Sequence, residues 1–142
     1  MVLTRQKSDG YVLNRQSSAD NMHDLKAFMS KMLIEPEAAN FTSDISILDD
    51  LKHKFIAVRD KKTAQIVAYA LLRQEGPDAE LEQLYSAQSG KGYGRVALKT
   101  AEAYAKAQGA KVLWLNSVPK ATPFYTKCGY QTVNGQRFTK RL

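Results

Sequence analysis

ELEQLYSAQSGKGYG, residues 80–94, leads directly into a helix-patterned segment from Arg95 to Gln108. Glu80 to Ser86 is an apolar and aromatic run of strand character, and the glycines that follow break it. A strand that ends in a glycine-dense loop and feeds a helix presents backbone N–H groups to an anion. Gly90, Gly92 and Gly94 alternate with Lys91 and Tyr93, so the backbone is free to take positive φ and to let a phosphate approach without a Cβ in the way. The first turn of the following helix adds its unpaired N–H groups and its dipole. The stretch reads as a cradle for cofactor phosphate. Taken alone, a Gly-x-Gly-x-Gly run also fits an ordinary strand-to-helix turn.

Downstream, the Arg95 helix places Leu98, Ala101, Ala105 and Gln108 on one face, with Tyr104 beside it and Gly109 as its C′ residue. VLWL, residues 112–115, is a continuous apolar run, as expected of a strand covered on both sides. Strand, crossover helix and buried strand make a βαβ unit with the two strands parallel. Residues 117–128 form a short helical region that ends at Gly129, with Pro123 kinking it or marking its effective start. Residues 130–133 and 136–140 then pair as a closing hairpin around Asn134-Gly135.

Upstream, GPDA (residues 76–79) turns the chain into the Glu80 strand. KFIAVR (residues 54–59) and QIVAYALLR (residues 65–73), joined by DKKTA, read as a hairpin antiparallel to it. Further back lie a first strand at residues 11–15 and a helix capped by Ser18 or Asp20 and running to about Met32. Met22, Leu25, Phe28, Met29 and Met32 recur along that helix as a core stripe. A second short helix spans residues 43–52, after a loop containing Pro36.

The length of 142 residues and the 44% apolar content suit one domain over residues 1–142. No apolar run is long enough to cross a bilayer, and residues 1–10 lack a secretory core, so a cytoplasmic location and no membrane partner are expected. A single cysteine, Cys128, excludes an internal disulfide and a cysteine-based zinc site. With two histidines, His23 and His53, a metal centre is not expected. Residues 87–142 hold ten Lys and Arg against Glu102 alone, a charge of +9. Residues 1–86 hold eleven basic against thirteen acidic residues, a charge of −2. A cationic half around the glycine loop suits a polyanionic nucleotide cofactor. The same field would draw nucleic acid to Lys91, Arg95, Lys99, Arg137, Lys140 and Arg141, although the aromatics of this half do not alternate with those cations as a nucleic-acid surface requires.

LEQLYS, SGKGYG, the helix, and LNSVPKATPFYTKCGY together resemble the Gcn5-related N-acetyltransferase superfamily over residues 10–142. Gly92 and Gly94 match the two glycine places of its signature, with Ser89 where the family carries Gln or Arg, and a loop about two residues shorter than usual offers Gln88 as the alternative occupant. Asn116, Pro119, Ala121, Phe124, Tyr125, Gly129 and Tyr130 match its second block in order. The resemblance implies a mixed α/β sheet of about seven strands with about four helices. Its N-terminal part would be antiparallel, and a splayed parallel pair would flank the crossover helix. It further implies acetyl-CoA as co-substrate, with pantetheine along Leu84, Tyr85 and Ser86 and the pyrophosphate on the amides from Ser89 to Arg95, including Lys91 and Tyr93. Asn116 would bond pantetheine.

By the same resemblance a primary amine attacks the thioester directly, Tyr125 gives a proton to the departing sulfur, and an amide at or near Leu84 polarises the carbonyl. Glu80 is the first candidate for the base and Glu82 the second, with a water chain as the remaining option. The acceptor would enter from the side built by residues 17–52 and the closing hairpin, where Glu35, Glu37, Asp44, Asp49 and Asp50 of the first part favour a cationic amine. Cys128 reads as a packing residue and Trp114 as core. Two other readings remain open: a nucleic-acid-binding module, and a fold of this kind that binds CoA without turnover. The acceptor is unidentified, and a homodimer is allowed for.

Overall fold

The computed structural model describes residues 8–13, 18–32, 52–88 and 90–142. The elements follow in the order β1 (Ser8–Val12), α1 (Ser18–Lys31), β2 (His53–Asp60), β3 (Ile66–Glu75), β4 (Asp78–Ser86), α2 (Tyr93–Ala107), β5 (Val112–Asn116), a 3-10 turn (Pro119–Ala121), α3 (Thr122–Lys127), β6 (Gln131–Thr132) and β7 (Arg137–Arg141). They build a mixed sheet of seven strands, as the sequence led us to expect, in the order β1-β2-β3-β4-β5-β7-β6. Every pairing is antiparallel except that of β4 with β5.

That parallel pairing is short: Asp78 faces Val112, Ala79 faces Leu113 and Glu80 faces Trp114. The cause of the parting lies one residue pair further on. Leu71 of β3 is opposite Gln83, whereas Leu72 is opposite Leu81, so Glu82 is an extra residue on β4. A bulge of this kind bends and twists the strand that carries it. Past it, β4 stays with β3 through Ser86 and leaves β5 behind.

The two faces of the sheet are covered by different helices. α2 buries Ala97, Leu98, Ala101 and Ala105 against Ile56, Val58, Ala68, Ala70 and Leu72, and three alanines in that row let the helix axis come close to the strands. On the other face, Met22, Leu25, Phe28 and Met29 of α1 pack on Phe55, Ala57, Tyr69 and Leu71, so the methionine stripe is core as read. α2 also crosses β1 at Gly10, where an added Cβ would lie 2.9 Å from the Cβ of Thr100. Thr100 is β-branched and its hydroxyl donates to the carbonyl of Val96, so it has little freedom to turn away. Gly10→Ala is therefore expected to push α2 off the sheet and to lower stability by about 1–3 kcal/mol, read as a lower urea midpoint at unchanged m-value.

Several boundaries differ from the sequence reading. β1 spans residues 8–12, because its ends are set by pairing from Ser8↔Asp60 to Val12↔Ile56. β4 begins inside the GPDA turn, since Asp78 and Ala79 already pair with β5. α2 starts at Tyr93, with Gly92 as its N-cap. α3 starts at Thr122, with Pro123 in its first turn, and the preceding 3-10 turn carries Pro119. β6 is reduced to two residues, and Asn134 Oδ1 accepts from the amide of Arg137 at 2.9 Å to close the turn. The helix expected over residues 43–52 lies outside the described residues except for Lys52, which is in a turn. The acidic residues Glu35, Glu37, Asp44, Asp49 and Asp50 also lie outside them.

Candidate active site

Where β4 and β5 separate, a cleft of about 430 Å³ opens between β4, the N-terminus of α2 and α3. Leu84 and Ser86 form one wall, Gly90, Gly92, Tyr93, Gly94 and Arg95 the head, and Ala121, Phe124, Tyr125, Lys127 and Cys128 the other wall. Nine residues named for the site from the sequence, Gln88 among them, thus meet in one place, although 41 residues separate Leu84 from Tyr125.

The head is a glycine turn that opens onto the first turn of α2. Gly92 caps α2 in the left-handed region at φ 79°, and Gly90 precedes it at φ 81°. The first helical bond runs from the amide of Val96 to the carbonyl of Gly92, at 3.1 Å. The amides of Tyr93, Gly94 and Arg95 thus have no partner within the helix, and no acidic residue occupies that first turn. The Tyr93 hydroxyl donates to Asp60 Oδ2 at 3.1 Å, so this side chain ties α2 to the β2–β3 turn, while its amide stays at the head. Asp60 is held in place by the amides of Lys62 and Thr63, which also keep its carboxyl below the usual range.

The β4 wall offers backbone groups. The amide of Ala87 donates to Val67 on β3 at 2.7 Å. Because an antiparallel ladder alternates, the amides of Leu84 and Ser86 point the other way, toward the gap left by β5. They form a free strand edge for an extended amide-bearing arm, and Leu84 lies two residues beyond the Glu82 bulge.

Tyr125 stands on the opposite wall and is nearly buried, with 8% of its surface exposed. Phe124 and Tyr130 flank its ring edge-to-face, at centroid separations of 5.1 and 5.9 Å. Its hydroxyl makes no hydrogen bond with any described residue. Burial, with a smaller contribution from Cys128, pushes its pKa up to about 12, so the phenol is protonated across the neutral range. Cys128 is buried and burial pushes its thiol up, which fits the packing role read for it.

The two carboxylate candidates lie on the face that carries α1. Glu80 is 3.5 Å from Arg73 Nη1. Its pKa is raised by burial and then by the neighbouring Glu82 charge, against the lowering effect of Arg73. Glu82, the bulge residue, is 2.9 Å from His53 Nε2.

Other predicted site residues are placed elsewhere. Tyr85 points to the α1 face, stacked on buried Tyr69 at 5.4 Å, because strand alternation separates it from Leu84 and Ser86. Lys91 is exposed beside the cleft and does not line it, and Asn116 is exposed at the end of β5. Ser89 lies outside the described residues. Conversely, Ala121, Phe124, Lys127 and Cys128 belong to the cleft without having been named for it. Ala121, Phe124, Tyr125 and Cys128 follow an i, i+3, i+4, i+7 spacing, which would have put them on one helical face. Of the cations considered for nucleic acid, Lys140 is bound to Glu102 and Arg137 lies 4.3 Å over the Trp114 ring. Among the described residues no cluster suits a metal ion, and no helix is long and apolar enough to cross a membrane.

Comparison with known proteins bears on the fold and the family. No curated protein matches the sequence at significance. Among solved structures, an aminoglycoside acetyltransferase from an uncultured soil metagenomic sample superposes with a TM-score of 0.71 at 15% identity, covering 91% of this chain and 95% of that one. Tetrahymena GCN5 gives 0.66 at 15% identity over 94% and 95%. The PaiA N-acetyltransferase of Thermoplasma acidophilum, in complex with coenzyme A, gives 0.65 at 17% identity over 93% and 99%. Identities this low establish a shared fold. The acetyltransferase (GNAT) family profile matches residues 20–130, from α1 through Tyr130, and so takes in both walls and the head of the cleft. The chain belongs to the acetyltransferase (GNAT) family.

Proposed function

We propose that the protein transfers the acetyl group of acetyl-CoA to a primary amine by direct attack. One observation carries the reading: a single cleft joins unpaired helix amides at Tyr93–Arg95, a free β4 edge at Leu84–Ser86 and the Tyr125 phenol. These suit, in that order, a diphosphate, an extended amide-bearing arm and a thioester sulfur. Arg95 adds positive charge at the phosphate end, and Lys127 adds it on the α3 wall.

In the step itself the amine nitrogen bonds to the thioester carbonyl carbon, with the amide of Leu84 or a neighbour facing the oxyanion. The carbon–sulfur bond then breaks, and the electron pair leaves on sulfur. Tyr125 donates its phenolic proton toward that sulfur and regains one from the nitrogen of the adduct. The remaining proton of the original ammonium goes to a carboxylate or to water. Glu80 is suited to the carboxylate role because its raised pKa brings it nearer to neutrality than an ordinary glutamate. Its raised pKa also sets the sign: Glu80 is a base only above a pH higher than the usual carboxylate range. In Glu80→Gln we expect kcat/KM to fall and the acid limb of its pH profile to disappear. An unchanged limb would transfer the role to Glu82 or water.

The reading is tested by adding acetyl-CoA in a thermal-shift assay and following thiol release with an alkylamine, a polyamine, an aminoglycoside and a lysine peptide. A shift together with release supports it. A shift without release from any amine would leave a CoA-binding protein without turnover. No shift, with salt-sensitive retention on DNA or RNA, would favour the nucleic-acid module.

A further inference from the structure

Glu102, the sole acidic residue in residues 87–142, is turned inward among three elements, with 12% of its side chain exposed. From α2, its Oε2 accepts from the Tyr130 hydroxyl at 2.7 Å. Both its oxygens accept from Lys140 Nζ of β7 at 3.2 Å, and the same ammonium donates to the carbonyl of Cys128 at 3.0 Å. Lys140 also lies 5.6 Å over the Tyr130 ring. Tyr130 is the residue whose ring edge meets Tyr125, and its amide donates to the carbonyl of Tyr125 at 3.0 Å.

α3 has six residues, too few to hold a helix in place by its own hydrogen bonds. Its orientation is therefore decided by what grips its ends, and the C-terminal grip is this network. In a half of the chain carrying ten cations and one anion, the anion is spent on an internal tie. We propose that Glu102 is a positioning residue: through Tyr130 and Lys140 it sets the angle at which the Tyr125 phenol enters the cleft. The inference rests on Tyr125 being the proton donor, and it adds a residue on α2 that touches neither cofactor nor acceptor.

The test is Glu102→Gln in protein labelled with 3-fluorotyrosine, the Tyr125 resonance being identified by its loss in Tyr125→Phe. The fluorine resonance of Tyr125 is expected to shift or split. With the amine turned over fastest among the four above, kcat is expected to fall about tenfold while KM for acetyl-CoA stays within about twofold. Should Glu102→Gln fail to fold, Tyr130→Phe removes one link and keeps the rings, and the same two changes are expected at smaller size. A folded variant with an unmoved Tyr125 resonance and wild-type kcat overturns the proposal. If the wild type releases no thiol with any amine, the acyltransferase reading falls, and the fluorine signal alone still decides whether Glu102 orients Tyr125.

Discussion

Tyr125→Phe is expected to lower kcat for thiol release by about 10²-fold while acetyl-CoA binds as before. The substitution deletes one oxygen and keeps the ring that Phe124 and Tyr130 flank at 5.1 and 5.9 Å. The hydroxyl has no partner among the described residues, so its loss leaves no buried group unsatisfied and stability changes little. A free thiol titrates near 8.5, against about 12 for this phenol. Full proton transfer to a thiolate is thus uphill by about 4–5 kcal/mol unless the phenolate is re-protonated in the same event. In the proposed mechanism Tyr125 would therefore serve as a hydrogen-bond donor that completes its transfer only as the adduct nitrogen gives up a proton. That limits the expected loss to the lower end of the range for general acids. Because the phenol is protonated well above neutrality, the wild-type rate should show no alkaline fall from this group below about pH 10. Wild-type kcat in the Phe variant would return Tyr125 to a packing role.

Gly92→Val is expected to weaken acetyl-CoA binding by at least about 10²-fold while the far-UV circular dichroism of the fold persists. Gly92 sits at φ 79°, where a side chain costs about 1–2 kcal/mol, and beyond its chain neighbours no atom of the described residues lies within 4 Å of an added Cβ. The new side chain therefore meets open cleft, not core. Hydrogen bonds from amides to a charged oxygen contribute roughly 1.5–3 kcal/mol each, so losing two weakens binding by about 10²- to 10⁴-fold. Gly76→Val is the matched control. Gly76 has φ 65° and an equally open Cβ position, but it lies in the β3–β4 turn, away from the cleft. Both variants carry the backbone strain, and only Gly92→Val should lose the ligand. Undiminished affinity in Gly92→Val would remove the phosphate from the α2 terminus. Gly94 is a different case. It lies inside the helix, and an added Cβ would touch Ser86 and Phe124 at 3.7–3.9 Å, so substitution there narrows the cleft without straining φ.

Local chemistry made a large share of this molecule legible in advance. Apolar runs of strand length, a 3.6-residue apolar period and glycine punctuation specify β2 to β5 and α2, because each depends on neighbours a few residues away. The glycine cradle is local in the same sense: Gly92 is needed where the helix begins, whatever lies opposite. The βαβ connection then makes β4 and β5 parallel, since a crossover helix returns the chain in the same direction.

What the sequence did not carry depends on partners far along the chain. The family resemblance implies a bulge near Leu84, but its place at Glu82 is set by a one-residue difference in register between two strands, which no pattern within β4 announces. The bulge decides that Leu84 and Ser86 face the cleft, that Tyr85 stacks on Tyr69, and that the two glutamates lie on the α1 face. Likewise, Glu102 read as one anion in a cationic half until the fold brought Tyr130 and Lys140 to it from 28 and 38 residues away. Sequence by itself determined the elements and the glycine turn at the head of α2, because backbone preference and side-chain period are short-range. Tertiary structure alone decided which side chains share the cleft and which are tied away from it, because register and packing couple residues that the chain holds far apart.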